Sequence, residues 1–286
     1  MKQIYDGGIN LISSEAVNKL PETQKMPVLF IGHGSPLNIT ANNGFTDSLK
    51  KLGASLPRPQ AVMVISAHWL TSGTWVGCND VNKLIYDFSG FPEELYRIQY
   101  PAPAASPYAR AAADELKSQQ VACNQDWGLD HGAWGILKNI YPQADIPVFE
   151  ISLDYAFGSR SVKPIQYHYD LAEKLQFLRT RGVLIIGSGN MVHNIKMVDW
   201  SGLDARPMEW AVELDDRIKK NLISGKHDDL IHYLSMGRNA SMGILSLDHY
   251  LPMIYAIGLQ KPGEPLKFVY EGIQNGSISM RSFQIG

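Results

Sequence analysis

Cysteine is scarce in this chain, which has two among its 286 residues, Cys78 and Cys123. Two cysteines cannot supply the disulfide framework of a small secreted domain, and these two lack the CxxC spacing of a zinc site. We therefore interpret both either as buried, small hydrophobic side chains or as partly exposed and inert ones, in a reducing compartment. This interpretation predicts a cytoplasmic protein.

The chain also lacks a strong charge of either sign, a long apolar run and a signal peptide. Its formal net charge of −2 gives no basis for a nucleic-acid or anionic-membrane partner. No apolar stretch approaches the roughly 18 residues of a membrane helix, and residues 1–26 have no basic region followed by an apolar one. We therefore expect small-molecule partners, no nucleic acid and no membrane. Residues 1–26 are predicted to form a polar N-terminal extension to one domain spanning 27–286, and a homo-oligomer is left open.

Short apolar runs rich in valine and isoleucine alternate with segments of helical periodicity. Runs that are apolar on both faces are typical of buried parallel strands, and they occur at Pro27–Ile31, Ala61–Ile65, Pro147–Ile151 and Val183–Ile186. Helical spacing occurs at Thr46–Leu52, Ser106–Gln119, Trp134–Ile140, Ile165–Arg179, Met208–Ile223 and Asp248–Gly258, and the tail Ser277–Ile285 alternates like a strand. This order predicts a single α/β domain whose central, mostly parallel sheet is flanked by helices.

Three histidines follow predicted strands at equivalent places. His33, His68 and His193 each come soon after an apolar run, with glycines beside His33 and before His193 that permit a close approach to the ring. Ligands of open α/β sheets bind at the carboxyl ends of the strands, where these imidazoles would gather. Neutral imidazole is a common ligand of zinc and iron, so we predict a metal site at the carboxyl ends of the strands.

Two further histidines and one loop are each compatible either with a role in the site or with a purely structural role. His131 follows Asp130 and His249 follows Asp248, each at the start of a predicted helix, where a capping or core role is equally suitable. The segment Gly73–Pro107 is predicted to be a long loop over one edge of the domain. Its aromatic residues could stack on a ring or pack on the core: Tyr86, Phe88, Phe91, Tyr96 and Tyr100.

Five motifs taken together resemble a known enzyme family. They are GHGSP (Gly32–Pro36), SAHW (Ser66–Trp69), DHGAWG (Asp130–Gly135), GSGNMVHN (Gly187–Asn194) and DHYLP (Asp248–Pro252). In order and spacing the chain resembles the class III extradiol ring-cleavage dioxygenases related to the protocatechuate dioxygenase catalytic subunit, and within them the DOPA 4,5-dioxygenase branch. The resemblance runs from about Pro27 to the end of the chain.

The resemblance implies cleavage of a catechol ring, of DOPA or a similar catechol, with O₂ at a mononuclear non-haem metal centre. It implies His33 and His68 as metal ligands, and a third ligand that is either His249 or a carboxylate, Asp248 or Glu271. His193 matches the family's acid/base histidine and could also reach the metal when no substrate is bound. His131 matches a second active-site histidine near the ring hydroxyls.

The resemblance also bears on the metal. Fe²⁺ is expected for activity, whereas four histidines would equally suit a tetrahedral Zn²⁺ site, so purified protein could carry zinc.

Two other functions compete with ring cleavage. A histidine-bound zinc beside a base could activate water, which would make the protein a hydrolase of a small amide or ester. A non-catalytic metal-binding module on the same fold is the second alternative, because a fold does not fix a function. Oxygen consumption with a catechol separates the dioxygenase from both alternatives.

Overall fold

The computed structural model describes residues 15–155 and 164–286 of the chain. Its strands are β1 (Val28–Gly32), β2 (Ala61–Thr71), β3 (Trp75–Gly77), β4 (Ala122–Asn124), β5 (Val148–Asp154), β6 (Val183–Gly189), β7 (Leu266–Tyr270), β8 (Ile273–Gln274), β9 (Ile278–Ser279) and β10 (Ser282–Ile285). Its α-helices are α1 (Glu15–Asn18), α2 (Gly44–Ser55), α3 (Ser106–Glu115), α4 (His131–Ile140), α5 (Ile165–Lys174), α6 (Gln176–Arg179), α7 (Glu209–Ile223), α8 (His227–Ile231), α9 (Arg238–Gly243) and α10 (Leu251–Gly258). Short 3-10 helices lie at Pro36–Ile39, Glu93–Arg97, Lys117–Gln119, Ile195–Met197 and Tyr233–Met236.

Eight strands form one sheet in the order β4-β3-β5-β2-β6-β1-β10-β7. The four central strands β5, β2, β6 and β1 run parallel to one another. Strands β10 and β7 add an antiparallel edge beside β1. The prediction of a single α/β domain with a mostly parallel central sheet flanked by helices is confirmed.

The apolar residues of β1 point alternately into two cores, one on each face of the sheet. Val28 and Phe30 belong to the core that includes residues of α5, α7 and α10, whereas Leu29 and Ile31 belong to the core that includes residues of α2 and α4. All four side chains are fully buried. A parallel strand between two helical layers has to be apolar on both faces, which is why its sequence is a continuous run rather than an alternation.

Several predicted elements have different bounds in the structure. Strand β2 continues to Thr71, past the predicted end at Ile65, with a register irregularity between Ile65 and Leu70. The predicted helix Ile165–Arg179 is divided into α5 and α6 at Leu175. The alternating tail forms two strands, β9 and β10, and β7 was not predicted. The loop Gly73–Pro107 contains β3 and a 3-10 helix, and Tyr100 on it is buried in the core.

The interpretation of the two cysteines as unpaired side chains is wrong. Cys78 and Cys123 form a disulfide with Cα atoms 5.4 Å apart. The parallel pairing of β3 with β4 places Val76 opposite Cys123, so that Cys78, two residues later, comes beside it. The backbone N–H of Cys78 also donates to the carbonyl of Asn124 at 2.8 Å.

Part of the predicted N-terminal extension packs on the domain. The side chains of Val17, Leu20 and Met26 are buried, and the backbone N–H of Met26 donates to the carbonyl of Arg179 at 2.8 Å. Residues 1–14 lie outside the described residues. The boundary between an extension and a catalytic domain at residue 27 stays a prediction. Within the described ranges, none of the helices has the length and apolar character needed to cross a bilayer.

Candidate metal centre and active site

Five histidines from distant parts of the chain share one cavity at the carboxyl ends of the central strands. The cavity has a volume of about 320 Å³, and its lining includes His33, His68, His131, His193 and His249. A volume of this size lies at the small end of the range for small-molecule sites. The structure thus brings together all five histidines that the sequence singled out as site candidates.

His33 and His68 face each other through their Nε2 atoms. His33 follows β1 directly, whereas His68 lies within β2, at its register irregularity rather than beyond the strand. Their Nε2 atoms are 3.2 Å apart. Two nitrogens bound to one tetrahedral zinc at about 2.0–2.1 Å lie about 3.3–3.4 Å apart, so the pair is spaced as two ligands of one ion would be.

The surroundings of His33 fix which of its ring nitrogens carries the hydrogen. Ser188, on β6, donates its hydroxyl hydrogen to the carbonyl of Gly132 at 2.6 Å. The same oxygen lies 2.9 Å from Nδ1 of His33 and can therefore only accept there. Nδ1 is the N–H, and the Nε2 lone pair of His33 faces His68. Burial, together with the neighbouring imidazoles, lowers the pKa of His33 well below its usual value, which keeps the ring neutral.

His68 and His249 each have a carboxylate beside Nδ1. Asp87 Oδ2 lies 3.1 Å from Nδ1 of His68, and Asp248 Oδ2 lies 2.9 Å from Nδ1 of His249. A carboxylate at Nδ1 favours the N–H there and leaves Nε2 free as a ligand, the arrangement common around zinc-binding histidines. The contacts at Nδ1 of His33, His68 and His249 therefore all favour the tautomer that a metal ligand needs.

Sequence reasoning missed Asp87. It lies in the loop Gly73–Pro107, whose sequence has no periodicity that would direct a side chain toward the site. Its side chain is only 18% exposed. Burial by itself would raise the pKa of the Asp87 carboxyl, but contacts with His131 and His68 hold that pKa below its usual range, and the group stays ionised. The sequence signal that could have identified Asp87 is its position between Tyr86 and Phe88, two aromatic residues predicted as possible contacts of a substrate ring.

His131 begins α4, as the sequence indicated, and Asp130 caps that helix by accepting from the backbone N–H of Ala133 at 3.1 Å. Nδ1 of His131 lies 3.0 Å from the same Asp87 oxygen that contacts His68, although it makes no well-aligned hydrogen bond. Ring nitrogens of His33, His68 and His131 all lie within 4.8 Å of one another. By distance alone, His131 is thus a further candidate for the third ligand.

His193 lies four residues beyond β6 and stacks on His249. The two ring centroids are 3.7 Å apart and the planes differ by 7°. Burial, with His249 as a further cause, lowers the pKa of His193 well below its usual value. Among the described residues, no hydrogen bond involves its ring nitrogens, so this neutral imidazole is available to a molecule in the cavity.

Backbone contacts explain why the histidine segments converge. The N–H of His33 donates to the carbonyl of Gly189 at 3.1 Å, and the N–H of Asn190 donates to the carbonyl of His249 at 2.9 Å. A Cβ added at Gly189 would lie 2.3 Å from the carbonyl oxygen of His249. Only glycine permits this approach, which accounts for its place in the GSG motif. The Asn190 side chain accepts from the N–H of Gly34 at 3.3 Å, beside His33.

The two carboxylate alternatives for the third ligand have other partners. Asp248 contacts Nδ1 of His249, as described. The Glu271 carboxylate binds Arg281 and lies 2.6 Å from Nζ of Lys219. Asp248 is thus engaged by His249, and Glu271 is engaged by Arg281 and Lys219.

The rest of the cavity wall is largely apolar. The loop between β3 and α3 contributes Phe88 and Phe91, and the segment that follows β6 contributes Ile195, Val198 and Trp200. Trp200 is 68% exposed and Ile195 is 59% exposed, so both lie at the mouth. Tyr86 and Tyr96 pack behind Phe88, with the Tyr96 ring centroid 5.0 Å from that of Phe88. Such a wall suits an aromatic ring that projects toward the histidines.

Known proteins resemble the chain along most of its length. Residues 27–279 match the model of a family described as the catalytic LigB subunit of aromatic ring-opening dioxygenase. A protein of Escherichia coli (strain K12) named 4,5-DOPA dioxygenase extradiol is 41% identical over 266 residues, which cover 92% of this chain and 95% of that protein. A protein of the same name from Beta vulgaris is 31% identical over 262 residues, which cover 89% of this chain and 94% of that protein.

A solved structure agrees with these matches. The crystal structure of an uncharacterized protein from Escherichia coli K12 superposes with a TM-score of 0.79 at 38% identity, covering 92% of this chain and 100% of that one. The family match, the relatives and the histidine cluster all point to the same chemistry. The chain belongs to the family of the catalytic LigB subunit and is an extradiol aromatic ring-opening dioxygenase.

Proposed function

We propose that the protein cleaves the ring of a catechol, DOPA or a similar one, with O₂ at a mononuclear non-haem metal centre. The observation that carries this proposal is the pair of Nε2 atoms of His33 and His68, 3.2 Å apart in a cavity lined by three more histidines. Both imidazoles have an acceptor at Nδ1, so two lone pairs meet where one ion would bind.

The proposed metal ligands are His33, His68 and His249, with His193 joining when no substrate is bound. The ring centroid of His249 lies 5.2 Å from that of His33 and 5.1 Å from that of His68, and Asp248 leaves its Nε2 free. Fe²⁺ is the expected metal, and it would supply coordination sites for the catechol oxygens and dioxygen. The nitrogen donors would also hold Zn²⁺.

The proposed acid/base residue is His193. A catechol hydroxyl has to lose a proton on binding, and a neutral imidazole with free ring nitrogens in the cavity can accept it. The same residue can return the proton to the opened product. His131, fixed at the start of α4, is proposed to orient or protonate the reacting oxygens. General acid–base help of this kind contributes about 10²–10⁴-fold to the rate.

The substrate class rests on the cavity wall and on the relatives. Phe88, Phe91 and Val198 all line the cavity, and their apolar side chains can pack on the faces of a planar ring. The relatives from Escherichia coli and Beta vulgaris are named for DOPA, which makes DOPA the first catechol to test.

An oxygen-uptake experiment tests the reaction. Metal-free protein is loaded with Fe²⁺ under nitrogen and mixed with air-saturated buffer and a panel of catechols that includes DOPA. We expect stoichiometric oxygen consumption and a yellow ring-opened product, neither of which appears with protein loaded with Zn²⁺ alone. Hydrolysis of a small ester by the zinc form without oxygen uptake by the iron form would support the hydrolase instead. Metal binding without turnover of any catechol or ester would support a non-catalytic binding module.

Metal analysis of single variants tests the ligand set. We expect His33→Ala and His68→Ala to lose metal and turnover together, and His249→Ala to weaken metal binding. His131→Ala should retain metal and lose turnover. Retention of metal by His249→Ala combined with its loss from His131→Ala would instead identify His131 as the third ligand.

We further propose a cytoplasmic location, with no nucleic-acid or membrane partner, in which case Cys78 and Cys123 would be reduced in the cell although they are paired in the structure. Disulfides are typical of oxidising compartments, so the thiol state of Cys78 and Cys123 tests this proposal. Protein alkylated at the moment of cell lysis should contain two blocked thiols if the compartment is reducing. Light scattering after size-exclusion chromatography will decide between a monomer and a homo-oligomer.

A further inference from the structure

Asp87 contacts two active-site histidines with one carboxylate. Its Oδ2 lies 3.1 Å from Nδ1 of His68 and 3.0 Å from Nδ1 of His131. Its Oδ1 accepts from the backbone N–H of His131 at 2.9 Å. One side chain from the loop between β3 and α3 thus reaches both β2 and the first residue of α4.

The contact with His68 determines which ring nitrogen faces the proposed metal. A negative oxygen at Nδ1 favours the tautomer with the hydrogen on Nδ1, and the lone pair of Nε2 then points toward His33. Without that oxygen, the neutral ring would divide between two tautomers, only one of which can bind a metal through Nε2. The side chain of Asp87 therefore acts on a ligand without lying in the ligand set.

The contact with His131 determines where that imidazole lies. Asp87 accepts from the backbone N–H of this histidine and lies 3.0 Å from its Nδ1, while the ring of Phe88, the next residue, lies edge-on to His131 with centroids 5.3 Å apart. Because the same oxygen contacts Nδ1 of both rings, displacing it disturbs both histidines at once. His68 and His131 are accordingly close neighbours, with ring centroids 4.1 Å apart.

We propose that Asp87 is a shared positioning residue, which orients the metal-binding His68 and the catalytic His131 through a single carboxylate. This inference rests on the proposed function, since it assumes a metal at the histidines. Asp87 is not itself proposed to touch the metal or the substrate. Removing the carboxylate should therefore weaken metal binding and turnover together, even in a protein that folds normally.

Zinc affinity of the metal-free protein provides a readout that is independent of turnover. Asp87→Ala and Asp87→Asn are titrated with Zn²⁺ in competition with a chromophoric chelator. Loss of a partner that orients a metal ligand typically weakens metal binding about 10–100-fold, and we expect this loss in both variants. Asp87→Asn matters most, because it keeps the size of the side chain and removes the charge. Asp87→Glu should recover part of the affinity.

Asp80→Ala is the matched control. Asp80 lies on the same loop, its side chain is 81% exposed, and it pairs with Arg110 at 3.6 Å rather than with a histidine. Its replacement should change zinc affinity by no more than about twofold, as an ordinary surface substitution would. Circular dichroism and thermal unfolding check that all the variants are folded.

A second comparison tests the shared role. In a His131→Ala background, Asp87→Asn should still weaken zinc binding, because it still acts through His68. If the effect disappears there, the single-carboxylate arrangement is wrong. If wild-type protein fails to bind Zn²⁺ and Fe²⁺, the proposed metal centre fails. If wild type binds zinc and Asp87→Asn binds it equally well, the metal centre stands and the role of Asp87 is refuted.

Discussion

Ser188→Ala should weaken metal binding although Ser188 contacts no metal in the proposed arrangement. The serine hydroxyl is fully buried on β6, accepts from Nδ1 of His33 at 2.9 Å and donates to the carbonyl of Gly132 at 2.6 Å. Alanine removes both bonds with little change in volume. His33 then loses the contact that keeps its hydrogen on Nδ1, and the hydrogen can move to Nε2, where it blocks a metal.

Two magnitudes follow from this geometry. A buried polar group left without a partner costs about 1–3 kcal/mol, so the free energy of unfolding of Ser188→Ala should fall by at least that range, with the Gly132 carbonyl adding to the loss. The tautomer effect is separate and acts on the metal. By analogy with other partners of metal-binding histidines, zinc affinity should fall about 10–100-fold.

The assay measures both quantities on the same samples, by urea unfolding of the metal-free protein and by zinc titration against a competing chelator. Ser152→Ala is the matched control. Ser152 is a buried serine on β5, which is separated from β6 by β2, and its hydroxyl accepts from Thr71 at 2.7 Å and from the backbone N–H of Trp75 at 2.8 Å. It should lose comparable stability and keep its zinc affinity. Equal zinc affinity in Ser188→Ala and wild type would refute the tautomer argument.

Gly189→Ala places a Cβ 2.3 Å from the carbonyl oxygen of His249. It should therefore lower the unfolding free energy by about 1–3 kcal/mol and weaken zinc binding. Unchanged values of both quantities would contradict the close approach of the two segments. Burial, and then Asp130, raise the pKa of Glu150 well above its usual value, so the folded state holds a proton that the unfolded state releases. The contribution of Glu150 to stability should therefore fall as pH rises above about 5, whereas the buried histidines with lowered pKa contribute in the opposite direction. Urea unfolding at each pH should show that the difference in unfolding free energy between wild type and Glu150→Gln falls as pH rises. Reduction of the Cys78–Cys123 disulfide should lower the unfolding free energy by about 2–4 kcal/mol, and Cys123→Ser should unfold like reduced wild type whether or not reductant is present.

The parts of the site that follow strands were accessible from the sequence. His33 follows an apolar run directly, and His193 comes soon after another, so the parallel arrangement alone brings them to one edge of the sheet. The start of α4 at His131 was also accessible, because Asp130 is a common capping residue. These features depend on residues that are close in sequence and on a general rule of α/β sheets.

Features that depend on contacts between distant parts of the chain could not be predicted from the sequence. Asp87 reaches His68 from a loop without periodicity, and only the folded path of that loop brings the two together. The pairing of Cys78 with Cys123 follows from the register of β3 with β4, and both strands are too short to be read from composition. Sequence gives the number of cysteines but not whether the fold brings the two close enough to pair.

The histidines lie on or beside central strands of the sheet, whereas exposed residues form the mouth of the cavity. His33 and His68 lie at the end of β1 and within β2, whose backbones are paired on both sides at the centre of the sheet. Backbone amides in such strands exchange with deuterium only when the whole domain unfolds, whereas exposed segments such as the one bearing Trp200 exchange through small local fluctuations. The mouth of the cavity can thus fluctuate locally while the backbone that bears His33 and His68 stays in place.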